Sequence, residues 1–194
     1  LIQVANSPLY RSRTPIEDLQ MAVTRLGIRM VRDLVISLAM KQIYQATSDV
    51  LDDHFRNCWN TAVEVAAISR MLATTVPGIN PEQALLAGLI HNIGALPILV
   101  MAEDDDDLFQ NSEALGAVIQ ELQGPVGELI LKTWNFGDAM TEVVTHSHNF
   151  SYDHGGGPQL VDIVQVALLQ GGHVSADQAP ADWNSVPAFS KMGM

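Results

Sequence analysis

The chain has 194 residues, with 22 Asp and Glu against 10 Lys and Arg, and its formal net charge is −12. Nucleic-acid binding needs a basic surface, so this charge argues against nucleic-acid binding as a function of the whole surface. Apolar residues make up 47% of the chain, enough for one domain with a sizeable core, and the single cysteine excludes an internal disulfide framework and a thiolate-rich zinc site.

The first residues have the character of an internal part of a longer chain. They form an amphipathic stretch, and there is no initiator Met. No secretory signal is visible at this end, although a leader could have been lost together with preceding residues. We therefore expect a cytoplasmic domain that is truncated at its start.

Residues 1–52 predict an N-terminal helical region. Thr14-Pro15-Ile16-Glu17 has the pattern of a capping box with Pro at the first helical position. Apolar residues then recur every three or four positions until Gly27, which is expected to end the helix. A second apolar stripe from Val31 to Ala39 predicts another helix.

A longer helix is predicted next, with Asp52 or Asp53 as its N-cap. Its apolar face continues to Leu72, and Pro77-Gly78 should end it. Asn80-Pro81-Glu82-Gln83 repeats the capping pattern and predicts the start of the following helix.

The apolar run from Ala84 to Ala102 is long enough on paper to cross a bilayer. His91, Asn92 and Pro97 lie in its middle, where a membrane span would not tolerate them well. We interpret the run as two buried helices joined by a turn.

The remaining pattern is also helical. A helix from Ser112 to Leu122 should be broken by Gly124-Pro125, and a further apolar stripe ends at Trp134. Later helices are predicted from Asp138 to about His146 and from Leu160 to Leu169. No stretch alternates with the period of two that is typical of strands, so the predicted class is all-α. Residues 53–172 are then a helical bundle, and residues 173–194 are expected to form a loose tail with one short helix.

Two motifs have ordinary explanations. The acidic run Glu103–Asp107 lacks the glycine and the spaced ligands of a calcium loop, so it is interpreted as a solvated connection between helices. Gly155-Gly156-Gly157 does not follow a strand and has no Lys-Ser/Thr after it, so it indicates a flexible loop and not a phosphate cradle.

The histidines are the most informative polar residues. His91 lies between two glycines in an apolar segment, which fits either a metal ligand or a hydrogen-bonded core histidine. His146 and His148 are two positions apart and cannot both face one site unless the helix ends between them. Cys58 is on an apolar helix face beside Trp59 and is interpreted as a structural thiol.

Several stretches, taken in order, resemble the HDOD domain family over about residues 1–170. The stretch with Asn6, Ser7 and Tyr10 and the helix with His91 are the most specific parts of this resemblance. The matching stretches are Leu1–Tyr10, Thr14–Glu17, Ala22–Gly27, Trp59–Ala62, Ala84–Gly94, Trp134–Phe136 with His146 and His148, and Leu160–Ala167.

The resemblance implies an HD-like multi-helix bundle with an N-terminal helical subregion, related to the HD metal-dependent phosphohydrolases. In those enzymes, His and Asp residues hold divalent metals that activate water against a phosphate ester. Here Thr61 replaces the expected first His, Asn92 replaces the Asp that follows His91, and the late Asp is absent near Leu168. Because hard divalent cations need anionic oxygen ligands, Thr61, His91 and Asn92 are expected to be a degenerate remnant that holds no metal or other cofactor.

The resemblance therefore implies a non-catalytic regulatory or adaptor domain of bacterial signal transduction. It would act through contact with a protein partner, without nucleic acid and without a membrane, and its oligomeric state is left open. Two alternatives stay open as well: a metal-dependent phosphohydrolase with the atypical ligands His91, His146 and His148, or a domain that senses a nucleotide in the vacated metal pocket.

Overall fold

The computed structural model describes residue 6 and residues 19–43, 49–176 and 178–194, apart from the side chains of residues 41, 49, 50 and 106. These residues are helical with no strand among them, which confirms the predicted all-α class. The helices are α1 (Leu19–Leu26), α2 (Ile28–Ile43), α3 (Asp49–Ala73), α4 (Pro81–Ile90), α5 (Ala95–Ala102), α6 (Asp106–Gln110), α7 (Ser112–Thr133), α8 (Asp138–His146), α9 (Leu160–Gln170) and α10 (Pro187–Lys191).

The chain divides into two compact units, Leu1–Ile43 and Tyr44–Met194. In the first unit, α1 and α2 pack on each other through the buried Ala22 and Val31. Gly27 lies between the two helices with a φ of 81°, a left-handed conformation that favours glycine. This confirms the prediction that Gly27 ends the first helix. The predicted capping box at Thr14–Glu17 lies outside the described residues. The predicted domain boundary at residue 52 falls within the first turn of α3, and the division into domains stays a prediction.

Helices α3 and α4 pack at very short range in the second unit. A Cβ atom at Gly88 would lie only 2.4 Å from the Cα atom of Ala66, so only glycine permits this approach. The predicted cap at Asn80 is confirmed, because its side chain accepts hydrogen bonds from the backbone N–H groups of Glu82 and Gln83. Arg70 of α3 donates to the Glu82 carboxylate at 3.0 Å and fixes the start of α4 against α3.

The apolar run is divided in two as predicted. The segment Pro81–Ala102 has a mean hydropathy of 1.9, and by length and composition alone it could cross a membrane. It nevertheless consists of α4 and α5 joined by a turn at residues 91–94, and 78% of its most apolar window is buried inside the protein. This turn places His91 and Asn92 in the interior of the second unit.

Helix α7 continues through Pro125 to Thr133, so the prediction that Gly124-Pro125 breaks the helix is wrong. Pro125 costs one backbone hydrogen bond, but the neighbouring glycines allow close packing on α8. A Cβ atom at Gly124 would lie 3.0 Å from the Thr145 carbonyl oxygen, and one at Gly127 would lie 3.1 Å from the Val144 Cβ atom. Tertiary packing of this kind outweighs the local preference of proline.

The C-terminal residues contain the predicted short helix, but they pack on the protein and do not form a loose tail. Trp183–Ser185 form a 3-10 turn that leads into α10. Val186, Ala188 and Phe189 are buried against Val166 and Leu169 of α9. A short apolar group thus anchors a segment that is otherwise rich in polar and turn-forming residues.

The acidic run and the glycine run both lie in connections between longer helices, as predicted. Asp104, Asp105 and Asp107 are exposed in the connection between α5 and α7, and the Asp105 side chain caps α6 by accepting from the Leu108 N–H. Gly155 and Gly156 have φ values of 71° and 78° in an irregular loop before α9.

Candidate functional site

A cavity of about 280 Å³ lies among α3, the α4–α5 turn and α7. Thr61, His91 and Asn92 all line it, so the structure brings together the three residues that the sequence analysis assigned to the metal-site remnant. His148 and His173 complete the set of imidazoles at its wall.

His91 is only 2% exposed and is held by its own turn. Its Nδ1 atom lies 2.7 Å from the Gly88 carbonyl oxygen. Because a carbonyl oxygen only accepts, Nδ1 carries the proton and donates it. Burial lowers the pKa of His91 to about 3, and the neighbouring His148 adds to this effect, so the ring is neutral at pH 7 and its Nε2 atom carries a lone pair.

Asn92 uses its amide for a structural contact. Its Nδ2 atom donates to the Cys58 backbone carbonyl at 3.0 Å and ties the α4–α5 turn to α3. Thr61 lies one helical turn beyond Cys58 on α3. Of the three remnant side chains, Asn92 therefore joins the turn to α3.

The His148 ring lies against the His91 ring, whereas the His146 ring does not. The His91 and His148 rings are stacked, with centroids 5.7 Å apart, and burial lowers the pKa of His148 to about 4. The His146 ring stacks instead on Tyr152, with a centroid distance of 3.8 Å. Helix α8 ends at His146, so the two histidines leave it in different directions, and the structure does not assemble the trio His91, His146 and His148.

His173 was missed by the sequence analysis. The chain reverses after α9 at Gly172, which has a φ of 69°, and His173 then reaches the cavity wall. Its Nε2 atom lies 3.1 Å from a carboxylate oxygen of Glu64 on α3. The Gly171-Gly172 pair signals a helix end, but it does not signal the direction that the chain takes afterwards.

The side chains at this cavity do not fit the metal centre of an HD enzyme. Within the part of the chain that the structure describes, no group of three or more His, Cys, Asp and Glu side chains is arranged to hold a metal ion. Leu168, near the position of the expected late Asp, is completely buried, and the Asn92 amide supplies no charge. A hard divalent cation would find neutral nitrogen and amide groups where it needs carboxylates.

A second cavity of about 260 Å³ adjoins the first between α7 and α8. Gln120, Gln123 and His148 line both cavities. The second one also touches Glu121 and Pro125. Since Pro125 has no backbone N–H, the Glu121 carbonyl oxygen does not receive the hydrogen bond that it would normally accept within α7.

The buried histidines predict a pH-dependent stability. Unfolded histidines titrate near 6.5, while His91 and His148 stay neutral in the folded chain down to about pH 3 and 4. Below pH 6.5 the unfolded chain therefore binds up to two more protons, and stability should fall as the pH falls, by up to about 2.7 kcal/mol per pH unit from these two groups. Urea unfolding at a series of pH values measures this slope. His148→Gln should lower this slope by the amount that corresponds to about one proton. An unchanged slope would contradict the assignment of a lowered pKa to His148.

Cys58 should react slowly with alkylating reagents. Burial raises the pKa of its thiol from 9.0 to about 11, which lowers the thiolate fraction at pH 8 by about 100-fold. Mass spectrometry of iodoacetamide labelling, compared between native protein and protein in urea, measures the difference. Because the chain has one cysteine, the label reports this position alone. Equal rates in the two states would show that the thiol is freely accessible.

Comparison with known proteins identifies relatives over most of the chain. The HDOD domain family matches residues 1–150. An uncharacterized protein of Treponema pallidum (strain Nichols) is 23% identical over 166 residues, which are 78% of this chain. The chain spans about a third of that relative, 31% of its length.

Two solved structures share the fold. A crystal structure described as a "putative metal-dependent phosphohydrolase" from Shewanella amazonensis SB2B has a TM-score of 0.75 and 29% identity, and the match covers 99% of this chain and 78% of that one. An HDOD domain protein with unknown function from Geobacter sulfurreducens has a TM-score of 0.66 and 20% identity, with 98% and 69% of the two chains covered. The HD-like bundle predicted from the sequence is thereby confirmed.

Proposed function

We propose that this chain, which belongs to the HDOD domain family, is a non-catalytic regulatory domain of bacterial signal transduction that acts through contact with another protein. The observation that carries the proposal is the use of the remnant polar groups for internal hydrogen bonds. His91 donates to Gly88 and Asn92 donates to Cys58, so both side chains hold the fold together.

The electrostatics of the cavity support the same conclusion. His91 and His148 are neutral, and Asn92 and Thr61 carry no charge. Metal-assisted hydrolysis needs a cation that lowers the pKa of its bound water, and such a cation is held mainly by anionic ligands. Glu64 lies 3.1 Å from His173 and has 63% of its side chain exposed to solvent.

Metal analysis and a hydrolysis panel test the proposal. We expect less than stoichiometric Mn, Fe, Ni or Zn in the purified chain and no turnover of phosphomonoesters or phosphodiesters with added metal. His91→Ala should leave the background rate unchanged. Turnover that is lost in His91→Ala would establish the phosphohydrolase alternative and overturn the proposal.

The lost ligands can also be restored. We expect the double variant T61H/N92D to bind Mn²⁺ more tightly than the wild-type chain, because both positions line the same cavity as His91. The gain should exceed the roughly 10- to 100-fold that one supporting residue contributes at a metal site. Isothermal titration with MnCl₂ measures it. Equal affinities of the variant and the wild type would mean that these positions do not face a common ion.

The protein contact is tested by capture on the immobilised chain. One bacterial partner should be retained in stoichiometric amount, and its retention should survive His91→Ala, since the proposed contact needs no catalytic group. Loss of retention in a variant that remains folded would place the cavity itself in the contact.

A further inference from the structure

We propose that the exposed apolar side of helix α7 is a docking surface for a basic amphipathic helix of another protein. The inference rests on the proposed adaptor function, and it adds the surface that makes the contact and the chemistry of the partner. This surface, the α7 stripe, consists of Val118, Leu122, Pro125 and Leu129.

The α7 stripe lies on the side of the helix that does not pack on α8. Leu129 is 68% exposed and Leu122 is 43% exposed, and Pro125 between them is exposed as well. Gly124 and Gly127, which approach α8 closely, lie roughly on the opposite side of α7. The helix therefore has one side in the protein interior and a second apolar side in contact with water.

The spacing of the α7 stripe is that of a contact between helices. Its members follow one another at intervals of four, three and four residues, which keeps them on one side of an α-helix. The same intervals recur where the apolar side chains of two helices interlock. Single exposed leucines are ordinary, but an aligned apolar set is typical of an interaction surface. The stripe therefore fits the apolar side of a partner helix.

The charge of the second unit favours a basic partner. Residues 44–194 contain 19 Asp and Glu but only four Lys and Arg. Each of these four cations is already paired with a carboxylate: Arg56 with Asp52, Arg70 with Glu82, Lys132 with Glu128, and Lys191 with Asp153. The field outside the unit is therefore negative, so it attracts a basic segment and repels an acidic one. The same field disfavours a second copy of this unit as the occupant of the stripe.

A site for a basic side chain borders the α7 stripe. Pro125 belongs to the stripe and also lines the second cavity, which Glu121 lines as well. The Glu121 carboxylate forms no ion pair with the residues that the structure describes, and burial keeps His148 at this cavity neutral. The last turn of α8 lines the same cavity, and the helix dipole favours a cation at a C-terminal end. The space of about 260 Å³ is therefore suited to the end of a Lys or Arg side chain that extends from a helix on the stripe.

Synthetic helical peptides about five turns long test the proposal on the wild-type chain. The first peptide has Leu at the spacing of the α7 stripe and Lys at its other positions, the second has Glu in place of Lys, and the third is the first in scrambled order. In isothermal titration, we expect the first peptide to bind at least about 10-fold more tightly than either of the others. No binding of the first peptide at millimolar concentration, or equal binding of the first and third, would overturn the proposal.

Matched substitutions locate the contact. The double variant L122Q/L129Q should weaken the Lys peptide at least about 10-fold, whereas Met101→Gln, at a residue of α5 that is 76% exposed, should not change its affinity. Glu121→Gln should weaken it at least about 3-fold, and Glu113→Gln, at an exposed acid in the first turn of α7, should not. All these positions are exposed, so the variants should keep the Tm of the wild type. Equal effects of the stripe variants and their controls would place the peptide elsewhere and contradict the inference.

The inference can fail separately from the adaptor role. If L122Q/L129Q still retains the protein partner of the wild-type chain, the adaptor role stands and the α7 stripe is wrong. Turnover that is lost in His91→Ala would overturn the adaptor role without changing the affinity for the Lys peptide. Sedimentation velocity tests the remaining occupant, since a wild-type dimer that separates in L122Q/L129Q would show that a second copy covers the stripe and would overturn the inference.

Discussion

A Gly94→Ala variant should lose at least about 3 kcal/mol of stability, at or beyond the upper end of the usual cost of overpacking. A Cβ atom at position 94 would lie 2.0 Å from the Gln123 carbonyl oxygen and 2.7 Å from the Gly127 nitrogen. Both are backbone atoms in the middle of α7, so they cannot rotate away as a side chain would. The turn after α4 would have to move off α7, and the cavity wall would move with it.

Urea and thermal unfolding measure this loss. For a chain of this size, 3 kcal/mol corresponds to a decrease in Tm of roughly 6–12 °C. Gly116→Ala is the matched control, since it lies inside the same helix α7 and a Cβ atom there would meet nothing within 4 Å. It should stabilise the chain by up to about 1 kcal/mol through helix propensity. Similar effects of the two substitutions would show that the close approach at Gly94 is not the cause.

The features that local sequence predicted correctly are those with local causes. Asn80 caps α4 because it directly precedes the helix and its side chain accepts from backbone N–H groups only two and three residues further along the chain. Gly27 ends α1 because its backbone needs a positive φ. The prediction that Thr61, His91 and Asn92 lie together came from the family resemblance. Their spacing in the sequence does not indicate that α3 and the α4–α5 turn line one cavity.

The features that sequence did not predict depend on contacts between distant residues. Pro125 stays inside a helix because Gly124 and Gly127 let α7 pack closely on α8. His173 reaches the cavity only through the reversal of the chain at Gly172. Val186 and Phe189 are too few to form a periodic pattern, yet α9 offers them an apolar surface. No window of local sequence contains the partner surfaces in these three cases.

A buried polar cluster outside the cavities connects the loop before α9 to the end of the chain. Asp162, 1% exposed, accepts hydrogen bonds from His154 Nε2 and from the Gln159 backbone N–H, both at 2.7 Å. Gln159 Nε2 in turn donates to His154 Nδ1 at 3.0 Å. The Lys191 amine of α10 lies 3.7 Å from the other Asp162 oxygen and 2.7 Å from Asp153. The carboxylate of Asp162 therefore accepts two hydrogen bonds through one oxygen, and the Lys191 amine lies at a longer ion-pair distance from the other oxygen.

Asp162→Ala should cost about 3–5 kcal/mol, because it leaves the buried His154 and the Gln159 N–H without their acceptor and removes the more distant of the two carboxylates beside Lys191. Helix α9 also loses its capping box, in which Asp162 is the reciprocal partner of Gln159. Since Lys191 holds the end of α10, we expect the C-terminal segment to be released first, which limited proteolysis before global unfolding would detect.

Two controls separate the buried charge from other effects of the substitution. Asp162→Asn keeps an acceptor oxygen and should cost clearly less than Asp162→Ala. Glu128→Ala breaks the exposed pair with Lys132, whose side chain is 65% exposed, and should cost less than about 1 kcal/mol. The same small cost for Asp162→Ala and Glu128→Ala in urea unfolding would show that the cluster contributes no more than a surface ion pair. The docking of α10 would then depend on the burial of Val186, Ala188 and Phe189.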